Sequence, residues 1–167
     1  FSMLNPVLAV RLQEAGASAT RIGVFVMLPF LAIAAMIPLM PRLFARFGMA
    51  RCYRAGLLLE TAATLGYVGT QDYAVWCTMA LAGGAGAAAL WNGTEALIAH
   101  NAPPARRGRF MGIYQTVLGI AITLGPFLPG VLPLGPDGLT VLSAALLLVA
   151  LAITFGPGVG ALQASRP

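Results

Sequence analysis

Two carboxylates stand alone in long apolar runs: Glu60, six residues past Arg54, and Glu95, five before His100. Burying an ionised carboxylate in hydrocarbon costs at least ~2.5 kcal/mol, so such groups face a protein interior or a water-filled path. Three chemistries are open to them. They can pair with arginines of neighbouring turns, take up and release a proton, or reach back to the membrane surface. Asn92, three residues before Glu95 and on the same helical face, could hydrogen-bond beside it. His100 reads as an interfacial residue at a helix end rather than a relay.

Other patterns carry less. Gly84-x-Gly86-x-x-Ala89 has the shape of a dinucleotide fingerprint, but that chemistry needs a preceding strand and a helix opening at the glycines. Here it lies inside one continuous apolar run, where small residues let helix backbones approach or line a cavity. Asn92-Gly93-Thr94 is formally a glycosylation sequon, but it falls in the same run. Cys52 and Cys77 form neither a metal quartet nor a disulfide framework. The topology below places them near opposite faces, beyond the ~7 Å that a bridged pair allows. With no His/Cys cluster, no serine beside a base and no paired carboxylates on one helix face, we expect no enzyme, no metal and no cofactor.

The elements that must position these residues follow from composition. The chain is 59% hydrophobic, with a mean hydropathy of +0.84 and only 9% charged residues. An ordinary soluble domain is roughly 45–50% apolar and about a quarter charged. Lipid, not water, must solvate most of this surface. The net charge is +5 and the pI about 10, carried wholly by arginine. Nucleic acid is not the expected partner, because the apolar runs match bilayer thickness and leave no soluble face for a basic stripe.

A helix needs about 20 apolar residues to cross a bilayer, with 17–25 tolerated. The runs predict spans at 22–40, 55–70, 73–98, 110–132 and 139–155, followed by a tail or linker at 156–167. Residues 1–10 are apolar but would rise only about 15 Å, half the hydrocarbon core. They read as the second half of a helix whose beginning is missing. Pro29, Pro38, Pro126 and Pro129 interrupt spans, and Gly125-Pro126 is the sharpest expected kink. Arginine asymmetry sets the orientation. Arg42, Arg46, Arg51, Arg54, Arg106, Arg107, Arg109 and Arg166 fall on one side, and only Arg11 and Arg21 on the other. The loops 41–54 and 101–109 are therefore expected in the cytoplasm, with Glu14, Asp72 and Asp137 outside. The dense "ARRGR" turn would block translocation of its loop and sit against anionic headgroups.

In this order and spacing the residues resemble the major facilitator superfamily. "PRLFARFGMAR" is similar to that family's loop between helices two and three, G-x-L-a-D-R-x-G-R-R. Leu43, Arg46 and Gly48 match and Arg51 lies just beyond, while Pro41 and Ala45 depart from it. "AGGAGAAA" resembles the fourth-helix stretch R-x-x-x-G-x-G-x-A through Gly84, Gly86 and Ala88, with Ala80 in place of the arginine. Gly112, Gly125, Pro126 and Gly130 fit the fifth-helix antiporter-type pattern, from which Ala121 and Pro129 depart. A glutamate such as Glu95 ahead of an R-G-R turn is similar to efflux-type members.

The resemblance covers about residues 1–155. It implies an all-α membrane fold, the N-terminal six-helix half of a twelve-helix facilitator, with the first helix truncated. It also implies a secondary transporter that binds its solute between two halves and rocks them. Asn5, Phe30, Gly84, Ala88, Asn92, Gln115, Thr116 and Thr123 would line the cavity. Their mostly apolar mixture favours a neutral or amphipathic small solute. Glu60, Glu95, Arg46, Arg51, Arg106 and Arg107 would serve gating or proton coupling. The expected partners are the lipid bilayer, the solute, a proton and the absent C-terminal half. A bacterial cytoplasmic (inner) membrane and an exporting antiporter are the expected setting. The alternative is a membrane scaffold or partner-binding subunit that moves no solute.

Overall fold

The structure is a computed structural model describing residues 2–156, so Phe1 and most of the expected 156–167 tail, with Arg166, lie outside the described residues. The described residues are helical, with no strand among them. The helices are α1 (Leu4–Glu14), α2 (Ala19–Met36), α3 (Met40–Phe47), α4 (Met49–Gly66), α5 (Tyr73–Asn101), α6 (Arg107–Leu124), α7 (Leu128–Val131) and α8 (Pro136–Ile153). Side chains cap two of the long ones. Ser18 accepts a hydrogen bond from the Arg21 amide at 3.4 Å, and Asp72 one from Val75 at 3.0 Å, the role short oxygen-bearing side chains play at helix starts.

Four helical stretches are long and apolar enough to cross a membrane: Ala19–Phe47, Tyr73–Asn101, Pro104–Val131 and Pro136–Ile153. The expected 55–70 segment is helical over Met49–Gly66 instead, and it is not one of the four. Arg51, Arg54 and Glu60 depress its apolar character. Most of the expected 41–54 loop is helix too, because arginine is a good helix former and hydropathy falls before the hydrogen-bonded ladder does. Gly48 alone separates α3 from α4, at φ 84°, a conformation open chiefly to glycine. The 101–109 turn also tightens. α5 runs through Asn101, a 3₁₀ turn covers Pro104–Arg106, and α6 begins at Arg107. Of the interrupting prolines, Pro29 stays inside a regular α2. Short 3₁₀ turns form instead at Ile37–Leu39 and Gly125–Phe127, where Pro38 and Pro126 have no N–H to give the ladder.

α4 and α5 form the centre. On α4 the residues Gly56, Leu57, Glu60, Thr61, Ala63 and Thr64 are buried, a stripe at the three-to-four spacing of one helix face. A Cβ on Gly56 would lie 2.9 Å from the Gly86 carbonyl oxygen and from Ala89 Cβ, and one on Gly66 would meet the side chain of Met79. These pairings run in opposite senses along the two helices, so α4 and α5 are antiparallel and nearly touching. α2 packs on the other side of α5 in parallel, where a Cβ on Gly84 would lie 2.7 Å from Pro29 Cα and 2.9 Å from Ala32 Cβ. α8 packs on α4, and α1 bridges α2 and α8. No residue of α6 is buried.

Both ends of α8 are held by arginines. At its start Arg11 of α1 pairs with Asp137 at 2.8 Å and lies over the Trp76 ring, 5.3 Å from its centroid. At its end Arg54 of α4 donates to the Thr154 carbonyl at 2.7 Å and to its hydroxyl at 3.2 Å, and stacks 4.1 Å over Phe155.

Candidate functional site

The buried stripe of α4 meets α1, α2 and α5 at one carboxylate. Glu60 is only 7% exposed. Gly86, whose added Cβ would fall 3.2 Å from Glu60 Cβ, sits beside the midpoint of the 29-residue α5. Glu60 therefore lies level with the middle of α5, away from the arginine turns near the end of that helix. Together with Asn5, Phe25, Pro29, Thr64 and Tyr67 it lines a small cavity of about 30 Å³, roughly the room of a single water. Among the described residues no arginine reaches it, and the one ion pair there is Arg11–Asp137.

Two aromatic rings, Phe25 and Tyr67, line this cavity, and Trp76 packs against both. Phe25, Tyr67 and Trp76 meet with centroids 5.5 to 6.1 Å apart, two of the pairs edge-to-face, the arrangement favoured by ring quadrupoles. The Trp76 indole donates to the Thr70 carbonyl at 2.7 Å, which fixes its rotation. Leu4, Leu8 and Leu12 of α1 complete the apolar cluster.

A larger cleft of about 480 Å³ adjoins on the far side of Thr64, between α1, α4, α6–α7 and α8. Ser2, Thr64, Gly125 and Ser143 give it polar edges among leucines. Its volume falls in the range of small-ligand sites, roughly 300–1,000 Å³. Gly125 leaves the room that Ser2 occupies, and the Ser2 hydroxyl donates to the Ala121 carbonyl at 3.1 Å.

The residues expected from sequence scatter around this centre. Asn5 and Glu60 share the small cavity. Gly84 and Ala88 are buried against α2, Ala88 at 0% exposure beside Ile33. Asn92 turns to its own helix and donates to the Ala88 carbonyl at 2.8 Å rather than assisting Glu95. Glu95 instead accepts from Gln115 at 3.2 Å, linking α5 to α6. Thr116 donates to the Gly112 carbonyl at 2.8 Å, and Thr123 and Phe30 lie on outward faces of α6 and α2. Arg46 lies 5.3 Å over the Phe47 ring, while Arg51, Arg106 and Arg107 are exposed. An ion-pair network between the arginine turns and the two glutamates is thus not formed among the described residues. Gly125-Pro126 supplies the 3₁₀ turn after α6. Cys52 and Cys77 are free thiols, and Cys52 donates to the Leu43 carbonyl at 3.4 Å.

Sequence reasoning missed Thr64, Tyr67, Ser2 and Ser143. The signal for Thr64 was present: Glu60, Thr61 and Thr64 lie on one face of a helix otherwise apolar at those levels.

The sequence matches the family profile described as Major Facilitator Superfamily over residues 1–162. No curated protein and no solved structure matches it.

Proposed function

The chain belongs to the major facilitator superfamily of membrane-embedded secondary transporters, and from that premise we propose that it forms the N-terminal half of a proton-coupled exporter of a neutral or amphipathic small solute. The observation that carries the coupling is Glu60: a buried carboxylate level with the middle of α5, beside a cavity with room for a water and with no arginine at it among the described residues. Ionisable groups so placed in a membrane protein mark proton or substrate paths. Proton binding there changes the charge at the junction of α1, α2, α4 and α5, the elements that would have to shift against one another.

The solute class is supported by the 480 Å³ cleft, which presents serine and threonine hydroxyls among leucines and no charged group. Glu95 and Gln115 act on this reading as a latch between α5 and α6. The outward faces of α2 and α6 meet a C-terminal six-helix half, and the arginine turns face the cytoplasm of a bacterial inner membrane.

Reconstitution of the full chain with its C-terminal half in liposomes, under an imposed pH gradient, tests the assignment. Glu60→Gln is expected to abolish gradient-driven flux, by about a hundredfold or more, while exchange without a gradient persists. Undiminished coupled flux in that variant would sink Glu60 as the carrier. Glu95→Gln is expected to slow flux several-fold with coupling intact.

A further inference from the structure

We propose that the groove between α3, α4 and α5 binds one anionic phospholipid, with an acyl chain along its floor and the phosphate on Arg51. The groove has a volume of about 340 Å³. Its floor is low because Gly56, Gly86 and Ala89 bring α4 and α5 into near contact and project almost no side chain. Phe47 and Leu59, both exposed, line it beside this floor. Small residues at a close crossing, flanked by long ones, leave an apolar trough.

The charge at one end selects the occupant. Arg51 lines the groove and is itself exposed, and Arg46 lies over the ring of Phe47, another lining residue. Neither makes an ion pair among the described residues. The start of α4 adds to the positive field, since its first turn has no acidic residue and Gly48 offers no capping side chain. An apolar trough ending in the Arg51 guanidinium, with Arg46 held over Phe47 at its rim, fits a molecule with a long apolar tail and a phosphate head. A bilayer phospholipid with net negative charge has that form, and a free phosphate would leave the trough unused. The site lies outside the Glu60 cavity and does not depend on transport.

Native mass spectrometry of the full chain, purified in detergent and titrated with dioleoyl phosphatidylglycerol or dioleoyl phosphatidylcholine, tests the site. Phosphatidylglycerol is expected to be retained preferentially. Arg51→Gln should lower its retention about fivefold, the factor that one arginine is worth against an anionic surface, and leave phosphatidylcholine unchanged. Ala85→Phe, which fills the trough, should lower retention of both lipids, and millimolar inorganic phosphate should displace neither. Equal retention of the two lipids by the wild type, or displacement by phosphate, overturns the proposal. So does unaltered phosphatidylglycerol binding by a folded Arg51→Gln. Should that variant lose its helical circular dichroism, Arg46→Gln takes its place at the same rim, with the same reading of loss or no loss.

Discussion

Glycine decides how closely the central helices lie, and only some of the glycines matter. A Cβ at Gly84 would press on the backbone of Pro29, which cannot swing aside as a flexible side chain would. Gly84→Leu is therefore expected to force α2 from α5 and lower stability by about 1–3 kcal/mol, the usual cost of overfilling a packed contact, read as a fall in the thermal midpoint of the detergent-solubilised protein. The sequence motif marked Gly84 and Ala88 as cavity residues, and both are buried in the contact between α2 and α5. Motif letters state that a residue must be small without stating whether a solute or a helix fills the space it leaves. Glu60 was legible as unusual from its apolar surroundings. Its depth and its lack of an arginine partner were not, because six residues of separation from Arg54 is nearly two helical turns, and distance along a helix is not proximity in a bundle.

At the scale of elements, hydropathy located α2, α5 and α8 within a few residues, since long uncharged runs have one stable arrangement in lipid. It misjudged α4, whose helix begins at Met49, ahead of the apolar run, and takes in Arg51 and Arg54. It also could not give rotation about an axis, which is why Thr64 and Ser143 were missed: periodicity places residues on a face but does not say what the face meets. The clamp on α8 yields its own prediction. Arg54→Ala removes two hydrogen bonds and a ring contact from the helix end, so amides of residues 150–156 are expected to exchange with deuterium at least tenfold faster, while those of α5 are unchanged. Arg11→Ala should do the same near Asp137. If exchange at both ends of α8 matches the wild type, the arginines do not hold it.

For the whole molecule, the structure gathers Arg11, Arg21, Asp72 and Asp137 around Trp76 and Tyr73 at one end, where Arg21 lies 5.3 Å over the Tyr73 ring. The α3–α4 and α5–α6 turns, with most of the arginines, lie at the opposite end, as antiparallel passage through α4 and α5 requires. The orientation proposed for the membrane is then a single choice that two cysteine reporters decide. In a background lacking Cys52 and Cys77, Gln71→Cys is expected to react with an impermeant maleimide on intact cells, and Ala105→Cys only after the membrane is opened. Reversed labelling would invert the assignment. Packing at this scale is uneven as well: α4 and α5 carry the largest sets of buried residues, whereas α6 has none. It meets α5 through the Glu95–Gln115 hydrogen bond and receives Ser2 at its far end.

That unevenness determines how the assembly would deform. Because guanidinium groups rivet α8 to α1 at one face and to α4 at the other, about 27 Å away along an 18-residue helix, those three helices behave as a splinted slab. A tilt of α8 would therefore have to break, or carry along, the Arg11–Asp137 pair at one end and the Arg54–Thr154 contacts at the other. α6, with no buried residue and held by the Gln115–Glu95 and Ser2–Ala121 hydrogen bonds, lies outside that slab.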